Sequence, residues 1–369
     1  LNKKIAFILT ALIILSLAVF VIPPSVYSQA FKGAHRDKTK LPKGCGSCHK
    51  GHGMPNTPML PDERNSFCFR CHGNSIQIQK SKQTGDLLRD FNQTDLHREF
   101  EKPYRHPIGN KQAYTASRVR KTYPQADSSM PMDVTCTDCH HHHYVAKNNK
   151  TLGIKGVNAQ GEIVDNIRHE YELCFKCHAD NMKLPGNQTN KADMFDVSNP
   201  SYHPVIAPGR NDNVPSLILP LTGSSIIKCT DCHNNDDPMG PKGPHGSTFR
   251  YILAKNYSGV DGAESPAQYS LCYSCHRRTS ILSNESFLFH NLHISIVGTS
   301  CRTCHNPHGS MQYPHLIHLD NFSVTPSSSG SLQFNDLGNR SGECYLSCHG
   351  QDHNPGSYPA SIKRLTNQK

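Results

Sequence analysis

The sequence predicts a mainly irregular, loop-rich chain with short α-helices, its interior filled by something other than its own side chains. Three observations lead there. Only 36% of the 369 residues are hydrophobic and none is Trp, whereas a domain of this size normally draws on close to half of its residues for apolar surface. The 26 Gly and 25 Pro gather with Asn and Ser in stretches such as Pro185-Gly-Asn-Gln-Thr-Asn190 and Thr325-Pro-Ser-Ser-Ser-Gly330, which read as loops. The 16 Cys are too sparse for a disulfide-stapled miniature and too many for a cytosolic enzyme, so spacing decides their use.

Residues 1–28 come first. Lys3-Lys4, the apolar stretch Ile5 to Ile22, the Pro23-Pro24 break and the small residues around Val26 and Ser28 follow the order of a secretory signal peptide. Cleavage is expected after Ser28 or Ala30. The competing reading is a retained N-terminal anchor, because an apolar run of this length reaches the lower limit for a bilayer span. Either way the body lies outside the cytoplasm, in the periplasm or at the cell exterior, and an uncleaved signal is its only expected tie to a membrane.

Every cysteine then falls into a motif. The first half holds Cys45-Gly-Ser-Cys48-His49, Cys68-Phe-Arg-Cys71-His72, Cys136-Thr-Asp-Cys139-His140 and Cys174-Phe-Lys-Cys177-His178. The second holds Cys229-Thr-Asp-Cys232-His233, Cys272-Tyr-Ser-Cys275-His276, Cys301-Arg-Thr-Cys304-His305 and Cys344-Tyr-Leu-Ser-Cys348-His349. C-x-x-C-H is the attachment signature of c-type haem. On a helical turn residues i and i+3 share a face, so two thiols reach the two vinyl groups of one porphyrin and the adjacent His turns its imidazole to the iron. A single copy could be half of a zinc site; eight copies behind an export signal point to eight covalent haems. The eighth motif, C-x-x-x-C-H, has one residue more between its thiols, and a disulfide between Cys344 and Cys348 is the competing arrangement there.

The motifs fall into four pairs, which divide the chain into repeats at 29–125, 126–215, 216–298 and 299–369. After the first motif of each pair comes a further His, often before Gly: His52, His143, His245 and His308. The second motif is preceded by a helix-like lead, as in Pro61 to Cys68, Asn166 to Cys174 and Ser265 to Cys272, where Ser265 suits an N-cap and Pro266 the first helical position. After it comes another recurrent His: His106-Pro107, His203-Pro204, His290 with His293 nearby, and His353. On these motifs the chain resembles the doubled-CxxCH modules of multihaem c-type cytochromes over residues 33–355. Large apolar macrocycles bonded to the chain would supply the core that its side chains lack.

Eight motif histidines leave 16 of the 24 His for the opposite faces of the irons. The repeat pattern nominates His52, His106, His143, His203, His245, His290 or His293, His308 and His353. His35, upstream of the first motif, is the strongest competitor, because the resemblance implies such a ligand. His97, His141, His142, His169, His315 and His318 are spare, His141 and His142 being expected at the solvent side.

The formal charge of +10 would suit nucleic acid, but long basic blocks with interleaved stacking aromatics are absent. Loss of Lys3 and Lys4 with the signal removes two of those charges, and each ferric haem with its two propionates brings about −1, so eight leave the oxidised protein near neutral. Lys and Arg are then expected as propionate partners.

With both axial positions filled by His an iron can only change valence, so a series of such sites conducts electrons. The resemblance implies an exported cytochrome of anaerobic or extracellular respiration, electron-transferring rather than enzymatic, that serves redox partner proteins or extracellular acceptors. It also implies a similarity to subunits of extracellular cytochrome filaments, hence self-assembly. The alternative is an octahaem reductase or oxidase of nitrogen or sulfur compounds with one open iron; many such enzymes carry a motif ending in Lys, whereas every motif here ends in His. Passive haem storage finds no support in the motif pattern.

Overall fold

The computed structural model of the protein describes residues 33–54, 59–62, 64–108, 134–179, 189–319 and 323–358. The signal segment at 1–28 lies outside them. Among the described residues no helix is long and apolar enough to cross a membrane.

The helices are short, and several are single turns formed by a motif itself. The second motif lies in α1 (Arg64–His72), which runs into α2 (Ser75–Gln83). A reciprocal cap starts α2: the Gln77 N–H donates to the Asn74 side chain and the Asn74 N–H to that of Gln77. The third motif is the single turn α3 (Cys136–Cys139), the fourth closes α4 (Glu170–His178), and the fifth and seventh are the single turns α5 (Cys229–Cys232) and α6 (Cys301–Cys304). The first and sixth motifs form 3-10 turns at Gly44–Ser47 and Cys272–Ser274.

The helical leads expected before the second and fourth motifs are present, but the lead before the sixth is a run of turns. The Ser265 hydroxyl accepts from the Gln268 N–H at 3.2 Å, as an N-cap would. The groups that would continue the helix are taken by a neighbouring strap: Ser258 N–H donates to Gln268 O, Leu271 N–H to Asn256 O, and the Asn256 amide to Ala267 O.

Strands follow the same economy. Two-residue antiparallel ladders join β1 (Tyr104–Arg105) to β5 (Gly246–Ser247), β2 (Gly156–Val157) to β3 (Ile163–Val164), and β4 (Ser201–Tyr202) to β6 (Gly309–Ser310). Among the described residues the one extended sheet is C-terminal, with β7 (Gln333–Gly338), β8 (Ser341–Cys348) and β9 (Gln351–Tyr358) antiparallel in that order. Nothing in the motif spacing announced it.

The apolar clusters are small and separate. Val157, Tyr171, Phe175, Ala179, Phe195 and Val205 form one around α4, and Leu41, Ile78 and Leu87 form another under α2. Beside the second cluster Asp86, 1% exposed, collects ion pairs from Lys50, Lys43 at 3.2 Å and Arg70 at 3.6 Å. Burial works to raise its carboxyl, and hydrogen bonds from Lys50, Thr84 and Lys43 outweigh it, holding the group below its ordinary value. These three cations are thus engaged by the chain itself.

Candidate haem sites

Seven motifs share one local geometry. The motif turn folds the His back so that its N–H donates to the carbonyl of the first Cys, at 2.8–2.9 Å for His49, His140, His233, His276 and His305. The two Cys-Thr-Asp-Cys turns cap themselves: Asp138 accepts from Thr135 N–H and Asp231 from Lys228 N–H, both at 2.8 Å. The seventh turn has Thr303 in that place, and Asp261 supplies the acceptor from outside, taking Ser300 N–H at 2.7 Å and the Thr303 hydroxyl at 2.9 Å.

The thiols run through the molecule in sequence order. Within pairs the second cysteines approach: Cys48 is pushed up to about 11 by burial and then by Cys71, Cys139 and Cys232 up to about 12 by burial and, in part, by Cys177 and Cys275. Cys304 similarly feels Cys344 and Cys348. Between pairs the first cysteines meet, the thiols of Cys68, Cys174 and Cys272 lying beside those of Cys136, Cys229 and Cys301. Each motif therefore neighbours the one before it and the one after it. No disulfide forms among the 16 cysteines.

Imidazoles then pair across the motifs. His72 faces His35 with ring centres 5.8 Å apart, His49 faces His143 at 6.2 Å, His140 faces His245 at 6.2 Å and His178 faces His106 at 6.4 Å. His233 faces His308 at 6.0 Å, His276 faces His203 at 6.4 Å and His305 faces His290 at 6.4 Å. A metal–imidazole bond of about 2 Å on each side, plus roughly 1 Å from nitrogen to ring centre, places two rings sharing one ion about 6 Å apart. Among the described residues no group of three or more His, Cys, Asp or Glu is arranged to hold a metal. Two opposed imidazoles beside two thiols fit an ion that brings its own equatorial ligands, as haem iron does.

Ring orientation agrees with this. In five of the motif histidines it is Nδ1 that is anchored, by Gln93 on His72 (2.7 Å), Lys150 O on His140 (2.9 Å), Tyr251 O on His233 (2.8 Å), Ser216 on His276 (2.9 Å) and His315 O on His305 (3.0 Å). The facing rings are held likewise: His35 by His142 O at 2.8 Å, His106 by Pro244 O at 2.7 Å and His203 by Pro307 O. An anchored Nδ1 sets the ring's direction and leaves Nε2 for a metal. Burial, the main cause in each case, holds His72, His178, His245 and His276 down to about 4 and His290 and His308 down to about 3, so these rings are neutral, as ligands must be.

The three carbonyls that anchor His35, His106 and His203 immediately precede His143, His245 and His308. One repeated joint thus positions two facing rings at once, and the ladders β1–β5 and β4–β6 close it. It also explains the recurrent His-Gly: a Cβ at Gly246 would strike the Glu99 carbonyl oxygen, and one at Gly309 that of Met194.

Two family models match the chain. One, described as doubled CXXCH motif, matches residues 40–77, and the other, described as outer membrane cytochrome MtrC/MtrF-like, domains II/IV, matches residues 158–319. The chain is a multihaem c-type cytochrome. No curated protein and no solved structure matches it.

Of the candidates named from the cytochrome's sequence, His35, His106, His143, His203, His245, His290 and His308 each stand opposite a motif histidine. His52 is exposed, and among the described residues no other histidine ring stands opposite it. His141 is half-buried and His142 exposed. His293 and His353 face each other at 6.5 Å. The eighth motif histidine, His349, faces neither, and its partner Asp261 carries no signal in the motif pattern.

Proposed function

We propose that this cytochrome carries eight c-type haems and conducts electrons along them, in sequence order, as an exported component of anaerobic or extracellular respiration. Electron transfer is the function of the family it resembles, whose printed description places it at the outer membrane. The observation that carries the reading is the opposition of seven motif histidines to seven second rings at 5.8–6.4 Å. An iron closed on both faces exchanges electrons and admits no substrate. The covalent ligands are Cys45, Cys48, Cys68, Cys71, Cys136, Cys139, Cys174, Cys177, Cys229, Cys232, Cys272, Cys275, Cys301, Cys304, Cys344 and Cys348.

The intact mass and the reduced spectrum with and without carbon monoxide test this together. Eight attached haems and an unchanged spectrum are expected; a shift amounting to one haem would turn the reading toward the reductase alternative.

Self-association is the finer part of the proposal. His52 stands exposed at the position whose counterparts His143, His245 and His308 each face a motif histidine one repeat back; all four first-motif histidines already have a facing ring, so His52 marks an exposed contact at which a second copy would dock rather than a ligand of those irons. Electron microscopy of the secreted protein, with and without His52→Ala, checks it: filaments lost in the variant are expected.

A further inference from the structure

The first cysteines of neighbouring pairs meet at three seams: Cys68 with Cys136, Cys174 with Cys229 and Cys272 with Cys301. At each seam a polar side chain from the stretch leading into the earlier motif crosses to the start of the later one. Asn65 on α1 uses both ends of its amide: the oxygen accepts from Cys136 N–H at 3.0 Å and the nitrogen donates to Val134 O at 3.3 Å. Glu170, the first residue of α4, takes Thr230 twice, Oε1 accepting from the N–H and Oε2 from the hydroxyl, both at 2.8 Å. Asp261, in the strap before Cys272, takes Ser300 N–H and the Thr303 hydroxyl of the seventh turn.

The three side chains differ, as does their distance from the motif they precede, yet each answers the same chemical need. The first N–H groups of a helical turn have no partner within it, and Cys136, Thr230 and Ser300 stand at or beside the start of α3, α5 and α6. An acceptor brought from the previous repeat satisfies the turn and ties its first cysteine to that repeat in one contact. Glu170 and Asp261 do so with carboxylate oxygens, which make the stronger kind of hydrogen bond. All three clamps are half-buried. The far end of α3 is tied as well, since Lys176 of the fourth motif donates to Asp138 O at 2.7 Å.

We infer that Asn65, Glu170 and Asp261 are positioning residues that fix the gap between the last haem of one pair and the first of the next, by holding together the two cysteines to which those haems are bonded. This rests on the haem-conduction reading above and on nothing in the eighth motif. Electron exchange between neighbours falls steeply as their gap widens, so the clamps set how readily charge passes from pair to pair.

The test is Soret circular dichroism of the oxidised mature holoprotein, where closely spaced haems give a two-signed couplet that shrinks as they separate. Asn65→Ala and Glu170→Ala are each expected to lose part of the couplet while keeping the parent's haem count by mass and its insensitivity to carbon monoxide. The two losses are expected to add in the double variant, because the seams share no residue. Glu170→Gln, which keeps an acceptor for Thr230, is expected to restore the couplet. Asp261 is left intact because it also holds His349, at 3.2 Å.

Glu172→Ala separates positioning from stability. Glu172 accepts from Arg168 N–H at 2.6 Å and His169 N–H at 3.0 Å, at the start of the same helix and within its own repeat, so this variant is expected to lower the denaturation midpoint and leave the couplet whole. A couplet unchanged in either seam variant, not restored by Glu170→Gln, or reduced as much by Glu172→Ala overturns the inference. If Glu170→Ala does not assemble, Thr230→Val reads the same seam by removing only the hydroxyl, and an undiminished couplet there overturns it likewise. A parent protein without attached haems, or with a spectrum that carbon monoxide shifts, would instead overturn the haem-conduction reading itself.

Discussion

The chain contains two kinds of haem motif, and they hold their histidines in opposite ways. In the body, residues 33–319, a C-x-x-C-H segment winds into one helical turn that returns the His N–H to the first Cys carbonyl and leaves Nε2 outward. At the C-terminal hairpin a single extra residue accompanies a strand, the two thiols share a face by alternation, and the histidine moves to the turn. The contrast teaches that a motif specifies an iron ligand only through the local backbone it builds. Where that backbone is a strand, the histidine turns instead to Asp261 and Thr299.

The comparison can be broken most directly in the body. His203→Ala removes the ring opposite His276 and is expected to open that iron, giving a carbon monoxide shift of one haem in eight where the unaltered protein shows none. Loss of the covalent haem count instead would mean that the facing rings are needed for assembly.

The next effect concerns the joints. Gly246→Ala and Gly309→Ala press a Cβ against a backbone oxygen that has no freedom to retreat, so each is expected to cost about 2–4 kcal/mol, read as a lowered denaturation midpoint. Gly350→Ala, in the hairpin, meets open space and is expected to cost only about 1 kcal/mol, the strain of a positive φ. Equal costs would remove the distinction between a packed body and a hairpin held by local geometry.

Asp86→Asn is expected to destabilise by about 2 kcal/mol, since Lys43, Lys50 and Arg70 lose their common partner. Because the folded carboxyl lies below its ordinary value, this stabilisation is present above about pH 4 and is lost as pH falls through the folded value. An acid titration of stability checks it, the variant being flatter than the parent below pH 4.

The smallest effect is spectroscopic. His233 and His308 are coplanar within 1°, whereas His35 and His72 are twisted by 78°. Parallel imidazole planes split the iron d orbitals that perpendicular planes leave nearly degenerate, an axial-ligand effect. Low-temperature electron paramagnetic resonance is expected to show at least two low-spin classes, and His35→Ala should remove intensity from the more anisotropic one.

Much of this was legible in advance. Spacing names the cysteines and motif histidines, and repeat position nominates six of the seven facing rings, because the same joint recurs at His143, His245 and His308; the seventh, His35, came from the resemblance, while repeat position offered His52 instead. Which ring faces which motif was not legible, since facing pairs such as His106 with His178 come from different repeats and only the fold brings them together. The turns before Cys272 escaped because hydrogen bonds from residues 256–258 outweighed a good N-cap. The hairpin escaped because residues 333–358 alternate too weakly to announce strands. Asp261 escaped because its role is to replace a carboxylate that the seventh motif lacks.

The crossing of facing rings between repeats bears on how the protein is made. A chain delivered from its N-terminus exports Cys45 to His49 well before His143, and Cys136 to His140 well before His245. On the proposed reading, the haems of the first three of these first motifs would therefore wait with one side open until the following repeat arrives. Ligand closure would thereby be staggered along the emerging polypeptide, and a product interrupted between repeats would be left with an iron open on one face.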